Sequence, residues 1–146
     1  MTFDRRLLSE VADTVPDAII VADRDGTVEY WNAGAERIFG YNGQDVVGST
    51  LDLIIPDRLR ERHWSGFRHA VETGTSNYGP GDLLAVPAKT ADGRRISIEF
   101  TVALLSDHGS VTHVAAVLRD VTERREQEMQ LRRRVAELEG GGPEGV

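Results

Sequence analysis

One histidine stands where chemistry is possible. At about 100° per residue, a helix over residues 56–73 places Leu59, His63, Phe67 and Ala70 within about 40° of one line. Arg60, Glu61, Arg62 and Arg68 flank that stripe and read as solvent-facing, and His69 falls about 120° away from His63. An imidazole in the middle of an apolar stripe needs a partner. It either hydrogen-bonds within the core or, as the neutral ring, ligates a metal. The chain has no cysteine, which excludes disulfides, thiolate metal sites, iron–sulfur clusters, cysteine nucleophiles and cysteinyl–flavin photochemistry.

Other side chains offer less. Trp31 ends an expected strand and Asn32 caps an expected helix, with ligand contact as the alternative role for each. Tyr78 sits in a Gly/Pro/Asn loop, either as a cavity lid or as a solvated aromatic. His108 in a turn and His113 on an edge-like strand read as surface residues, and Arg119 and Asp120 as an ion pair. There is no His-Glu-x-x-His, no Gly-x-Ser-x-Gly and no phosphate-binding loop, so no catalysis is expected. Gly140, Gly141 and Gly142 follow a helix and are no phosphate cradle.

The elements that must position His63 belong to one domain. With 146 residues, 40% hydrophobic and 28% charged, the chain can fill one packed core. Its net charge of −7 argues against nucleic acid as a partner. The opening MTFDRRLLSE has no long apolar stretch, so neither a signal peptide nor a membrane span is expected, and the chain reads as cytoplasmic.

Helical spacing of Phe3, Leu7, Leu8, Val11 and Val15 predicts an amphipathic helix over residues 1–15. Residues 18–22 and 27–31 form a hairpin about Asp23-Arg24-Asp25-Gly26. Asn32 opens a short helix that Gly40 stops, and residues 43–47 make another turn of helix. Residues 82–89, 95–105 and 111–118 read as three strands joined by turns. The charged segment 122–139 is a helix in which Leu131, Val135 and Leu138 make a partial heptad suited to pairing with a copy of itself, and 140–146 is a frayed tail. The fold class is α+β: a five-stranded antiparallel sheet with helices on one face, spanning 16–121, flanked by the terminal helices.

This order and its residues resemble a PAS domain. WNAGAERIFGY (31–41) is similar to that family's segment after the second strand, and Val47-Gly48 to the Val/Ile-Gly that follows. Asp92-Gly93 matches the Asp-Gly before the fourth strand, and LRDVTERR (118–125) resembles the family's exit motif. The resemblance covers roughly residues 10–125. It implies a sensory and dimerising module, with a cofactor or small molecule between sheet and helices and a signal leaving through the terminal helices.

The stretch 56–74 further resembles the corresponding helix of rhizobial oxygen-sensing PAS kinases, where a heme-ligating histidine matches His63. That likeness implies heme b on His63, in a pocket lined by Leu59, Phe67, Leu83, Leu84 and Ile98. Those sensors place an arginine on the following strand, where GDLLAVPAK (81–89) has none; an apolar distal side suits CO or NO better than O₂. A cysteine-independent flavin or a fatty acid is the other ligand class the family allows. The partners implied are a second copy and a kinase or regulator in trans. The rival is a ligand-free PAS dimerisation module in which His63 is a core residue.

Overall fold

Asp4 opens the first helix by accepting from the Leu7 amide, and α1 (Arg5–Thr14) runs to the turn at Val15 and Pro16. The computed structural model describes residues 4–76 and 83–144, with side chains described up to residue 140. Asp23 Oδ1 then accepts from the amides of Asp25 and Thr27, and Gly26 adopts φ +87°, which turns β1 (Ala18–Asp23) back into β2 (Val28–Trp31). Asn32 caps α2 (Ala33–Phe39), and Gly40 in the left-handed region ends it. α3 (Gly43–Val46) and two 3₁₀ turns, Leu51–Ile54 and Asp57–Leu59, lead into α4 (Arg60–Thr73). The chain closes with β3 (Leu84–Lys89), β4 (Arg95–Asp107), β5 (Ser110–Asp120) and α5 (Thr122–Glu144).

The five strands form one antiparallel sheet in the order β2-β1-β5-β4-β3. Ile20 stands between Trp31 and Ala116, and Ile98 between Val86 and Asp120. Alternation along each strand sends Ala18, Ile20, Ile96, Ile98 and Leu118 to one face, where they pack with Ala35, Phe39, Val46 and Ile54. Trp31 lies in this core, its ring 5.5 Å from Phe39 and its Nε1 donating to the Tyr41 carbonyl at 3.0 Å. The α+β architecture expected from the sequence is therefore observed.

Asn32 does more than cap. Its Oδ1 accepts from Ala35 N (2.9 Å) and Ile19 N (2.8 Å), and its Nδ2 donates to the carbonyls of Ala12 (2.6 Å) and Asp17 (3.1 Å). One buried amide thus joins α1, β1 and α2 with all of its hydrogen-bonding capacity spent.

Three local expectations change. His113 is on β5, the central strand, half-buried, with Nε2 3.0 Å from Glu29; the edge strands are β2 and β3. Arg119 pairs with Asp17, not Asp120, because neighbouring strand residues point to opposite faces. Asp120 instead accepts from the amide and hydroxyl of Thr122 and so caps α5. The helical backbone of α5 continues from Glu139 through Glu144, where a frayed tail is expected. Phe3, Tyr78, Asp82 and residues 145–146 lie outside the described residues.

Candidate functional site

Helix α4 turns to the protein the face its periodicity predicts, widened on one side. Val71 is buried, and Arg60, His63, Trp64, Phe67 and Ala70 are half-buried, as is Leu59 in the turn before the helix. Arg60, Trp64 and Val71 lie about 60–100° to one side of the Leu59–His63–Phe67–Ala70 line. The inner stripe is therefore broader than the apolar count suggests, and Arg60 is drawn inward. Two aspartates account for Arg60: its Nη2 lies 3.1 Å from Asp57 Oδ1 and donates to the Asp52 backbone carbonyl at 3.1 Å, while its Nε lies 3.9 Å from Asp52 Oδ1.

Trp64 organises this corner. Its Nε1 donates to Asp52 Oδ1 at 2.6 Å. Its ring stands edge-on to His63 (4.6 Å between centroids, 80°) and to Phe67 (5.2 Å, 72°). The indole also seats on Gly26 of the β1–β2 turn, where a Cβ would come within 2.2 Å of the ring. Only glycine admits both that contact and the positive φ.

Among the described residues, His63 Nδ1 and Arg60 Nε are buried with no hydrogen-bond partner. An unpaired buried polar atom costs about 1–3 kcal/mol, and these two lie one helical turn apart. Burial lowers the His63 pKa below that of a free imidazole, and the charge of Asp52 opposes the shift in part. Burial thereby favours the neutral ring, the form that ligates metals.

The expected pocket residues divide into groups. Phe67 joins His63, with 6.0 Å between ring centroids. Leu59 is half-buried in the 3₁₀ turn before α4. Ile98 is buried in the core, and Leu84, half-buried, pairs with Phe100 two positions along β4 on the same face. Leu83 departs from expectation: it is 61% exposed. Adjacent residues of an extended chain face opposite ways, so Leu83 and Leu84 cannot both line one wall. Asp52, Trp64 and Gly26 were not visible as site residues. A stripe counted from Arg60 would have found Trp64, but nothing local marks Asp52 as its acceptor.

The family profile described as "PAS fold" matches residues 12–126. This chain belongs to the PAS family. The "Sensor protein FixL" of Bradyrhizobium diazoefficiens is 26% identical over 132 residues, which cover 90% of this chain and 26% of that protein. The "Oxygen sensor protein DosP" of Escherichia coli is 30% identical over 115 residues, covering 79% and 14%. A PAS domain crystal structure from Colwellia psychrerythraea superposes with a TM-score of 0.70 at 23% identity, covering 81% of this chain and 97% of that one. The PAS domain thus spans about a quarter or less of the curated relatives named here. No helix among its described residues is long and apolar enough to cross a membrane.

Proposed function

We propose that this PAS domain is a non-catalytic, cytoplasmic sensory module that binds heme b through His63 and relays the state of that site to its terminal helices. The observation that carries the reading is the His63 imidazole itself: inward-facing, favoured as the neutral ring by burial, and unpaired at Nδ1 among the described residues. A ring with no internal hydrogen bond is free to ligate, so the residues present fit the group. Phe67, 6.0 Å from His63 between ring centroids, supplies apolar surface beside the imidazole. When bound, heme would supply an iron able to take up a diatomic gas. Similarity to proteins named as a sensor and as an oxygen sensor supports the sensory class. The segment 81–89 carries no arginine, which favours CO or NO over O₂ as the gas.

The route outward is built into β4 and α5. Val121 N donates to the Ser97 carbonyl, and Thr122 Oγ1 accepts from Ser97 N, each at 2.9 Å. Arg124 reaches back to Glu99 on the same strand. A shift of β4 therefore carries the first turn of α5 with it. The ligand must favour one arrangement over the other for a signal to leave. The receiver is a second copy, or a kinase or regulator in trans.

Exposed apolar residues favour a second reading. Leu8 and Val11 on α1, and Leu131, Val135 and Leu138 on α5, are exposed, as a ligand-free dimerisation module would require. Adding hemin and recording the visible spectrum of wild type and His63→Ala separates the two. A sharp Soret band lost in the variant supports heme on His63. A flat spectrum, or one the substitution leaves unchanged, removes heme from this site and leaves the dimerisation module.

A further inference from the structure

We infer that Asp52 is the positioning residue for His63: its carboxylate accepts from the ring Nδ1–H through one water, and so leaves Nε2 as the ligating nitrogen. This deepens the reading of His63 above and rests on it.

Asp52 lies in the 3₁₀ turn Leu51–Ile54, below the first turns of α4. Two side chains of that helix already converge on it. Trp64 Nε1 donates to Oδ1 at 2.6 Å. Arg60 holds its carbonyl at 3.1 Å and brings Nε to 3.9 Å from Oδ1. Arg60, His63 and Trp64 follow one another at i, i+3 and i+4, so His63 shares its side of the helix with both groups that grip Asp52. The His63 ring stands edge-on to the indole, 4.6 Å between centroids. Trp64 is itself pinned against Gly26, which leaves this corner little freedom to rearrange.

The hydrogen-bond ledger at this corner does not close. His63 Nδ1 and Arg60 Nε are buried nitrogens without acceptors among the described residues. Asp52 Oδ1 takes the indole, while Oδ2 accepts from none of the described residues. The corner thus holds both a carboxylate oxygen with spare capacity and nitrogens that lack an acceptor. The charge of Asp52 is also the one felt by the imidazole against its burial. A ligating histidine commonly donates its second N–H to a carboxylate, which fixes the tautomer and strengthens the ligating nitrogen as a donor.

The test uses Asp52→Asn and Asp52→Ala. Asparagine keeps an oxygen for Trp64 but turns an NH₂ group towards His63, so the fold is retained while the polarity at Nδ1 reverses. Side-chain ¹⁵N spectra of the ligand-free protein at about pH 8, where imidazole is neutral, read the tautomer directly. The expected result is an Nδ1–H ring in wild type, an Nε2–H ring in Asp52→Asn and a mixture in Asp52→Ala. In the hemin-loaded protein, Asp52→Asn should weaken hemin affinity on the order of 10-fold and lower the iron–histidine stretching frequency of the reduced form. An unchanged tautomer in both variants overturns the role of Asp52, whether or not hemin binds. Absence of a His63-dependent Soret band in wild type overturns the heme reading instead, and the ligand-free spectra then decide Asp52 alone.

Discussion

Arg119 and Asp17 join the last strand to the chain that enters the first: Nη2 of Arg119 lies 3.3 Å from Oδ2 of Asp17. The strands behind them are neighbours, with Leu118 opposite Ala18. The pair also raises the Arg119 pKa above that of a free guanidinium, through the hydrogen bond and the charge of Asp17. Asp17 follows α1 closely and Arg119 shortly precedes α5, so one ion pair spans the roots of both terminal helices.

Because this pair faces solvent, its effect is expected in local order and not in global stability. Arg119→Gln and Asp17→Asn should leave the urea midpoint nearly unmoved. Amide exchange over residues 15–19 should rise in both variants at low salt, and the difference should shrink at high salt. Exchange indifferent to both substitutions would show that the pair holds nothing in place.

Asn32 should behave in the opposite way. Asn32→Ala removes a cap and strands the groups it bridges, at a cost of about 3 kcal/mol in urea unfolding. Asn32→Asp keeps the acceptor for Ala35 and Ile19 but loses both donations, to Ala12 and Asp17. Its signature is an α1 that exchanges freely on a folded sheet. A midpoint within error of wild type for the alanine variant would contradict the structure.

Gly26→Ala should be costly for two separable reasons. The left-handed backbone contributes about 1 kcal/mol, and the clash with the Trp64 ring adds about 2 kcal/mol more. In a Trp64→Leu background only the backbone part should remain. Tryptophan fluorescence of Gly26→Ala should also change as the indole is pushed off its seat. Equal costs in both backgrounds would mean that the contact is not formed.

The depressed pKa of His63 gives stability a pH dependence of defined sign. The unfolded chain binds a proton on this ring more readily than the folded one. The contribution is therefore fully present above the unfolded value of about 6.5 and is lost as pH falls from there through the folded pKa. Urea midpoints between about pH 7.5 and pH 5.5 should fall less steeply for His63→Gln than for wild type. Parallel slopes would place the ring in water.

Much of this fold was legible because glycine and asparagine punctuate it. Asn32 and Gly40 bound α2, with residues 33–39 between them, and the Asp107–Ser110 turn has His108 and Gly109 at positive φ where a two-residue hairpin needs them. Long-range pairings left no local trace. Arg119 finds Asp17 only after β1 and β5 are side by side, and His113 becomes central only because the sheet inserts β1 between β2 and β5. The width of the α4 face was missed for another reason. Arg60 looks solvated to a hydropathy count, yet Asp52 and Asp57 lie against it and let it stay half-buried. Leu59 and Ala70 are half-buried as the apolar line expects, and Arg60, Trp64 and Val71 extend that line to one side. The histidine was found, but the aspartate and the tryptophan that surround it needed the tertiary structure.

The fastening of Thr122 to Asp120 and Ser97 fixes where α5 begins its winding. From that origin the azimuth of Leu131, Val135 and Leu138 is a matter of counting. One inserted residue after the first turn would swing that row about 100° about the helix axis, while a seven-residue insertion would return it to within about 20° of its starting bearing. The bearing of that row is thus a rotational phase set at Thr122, and whatever packs on it must match that phase.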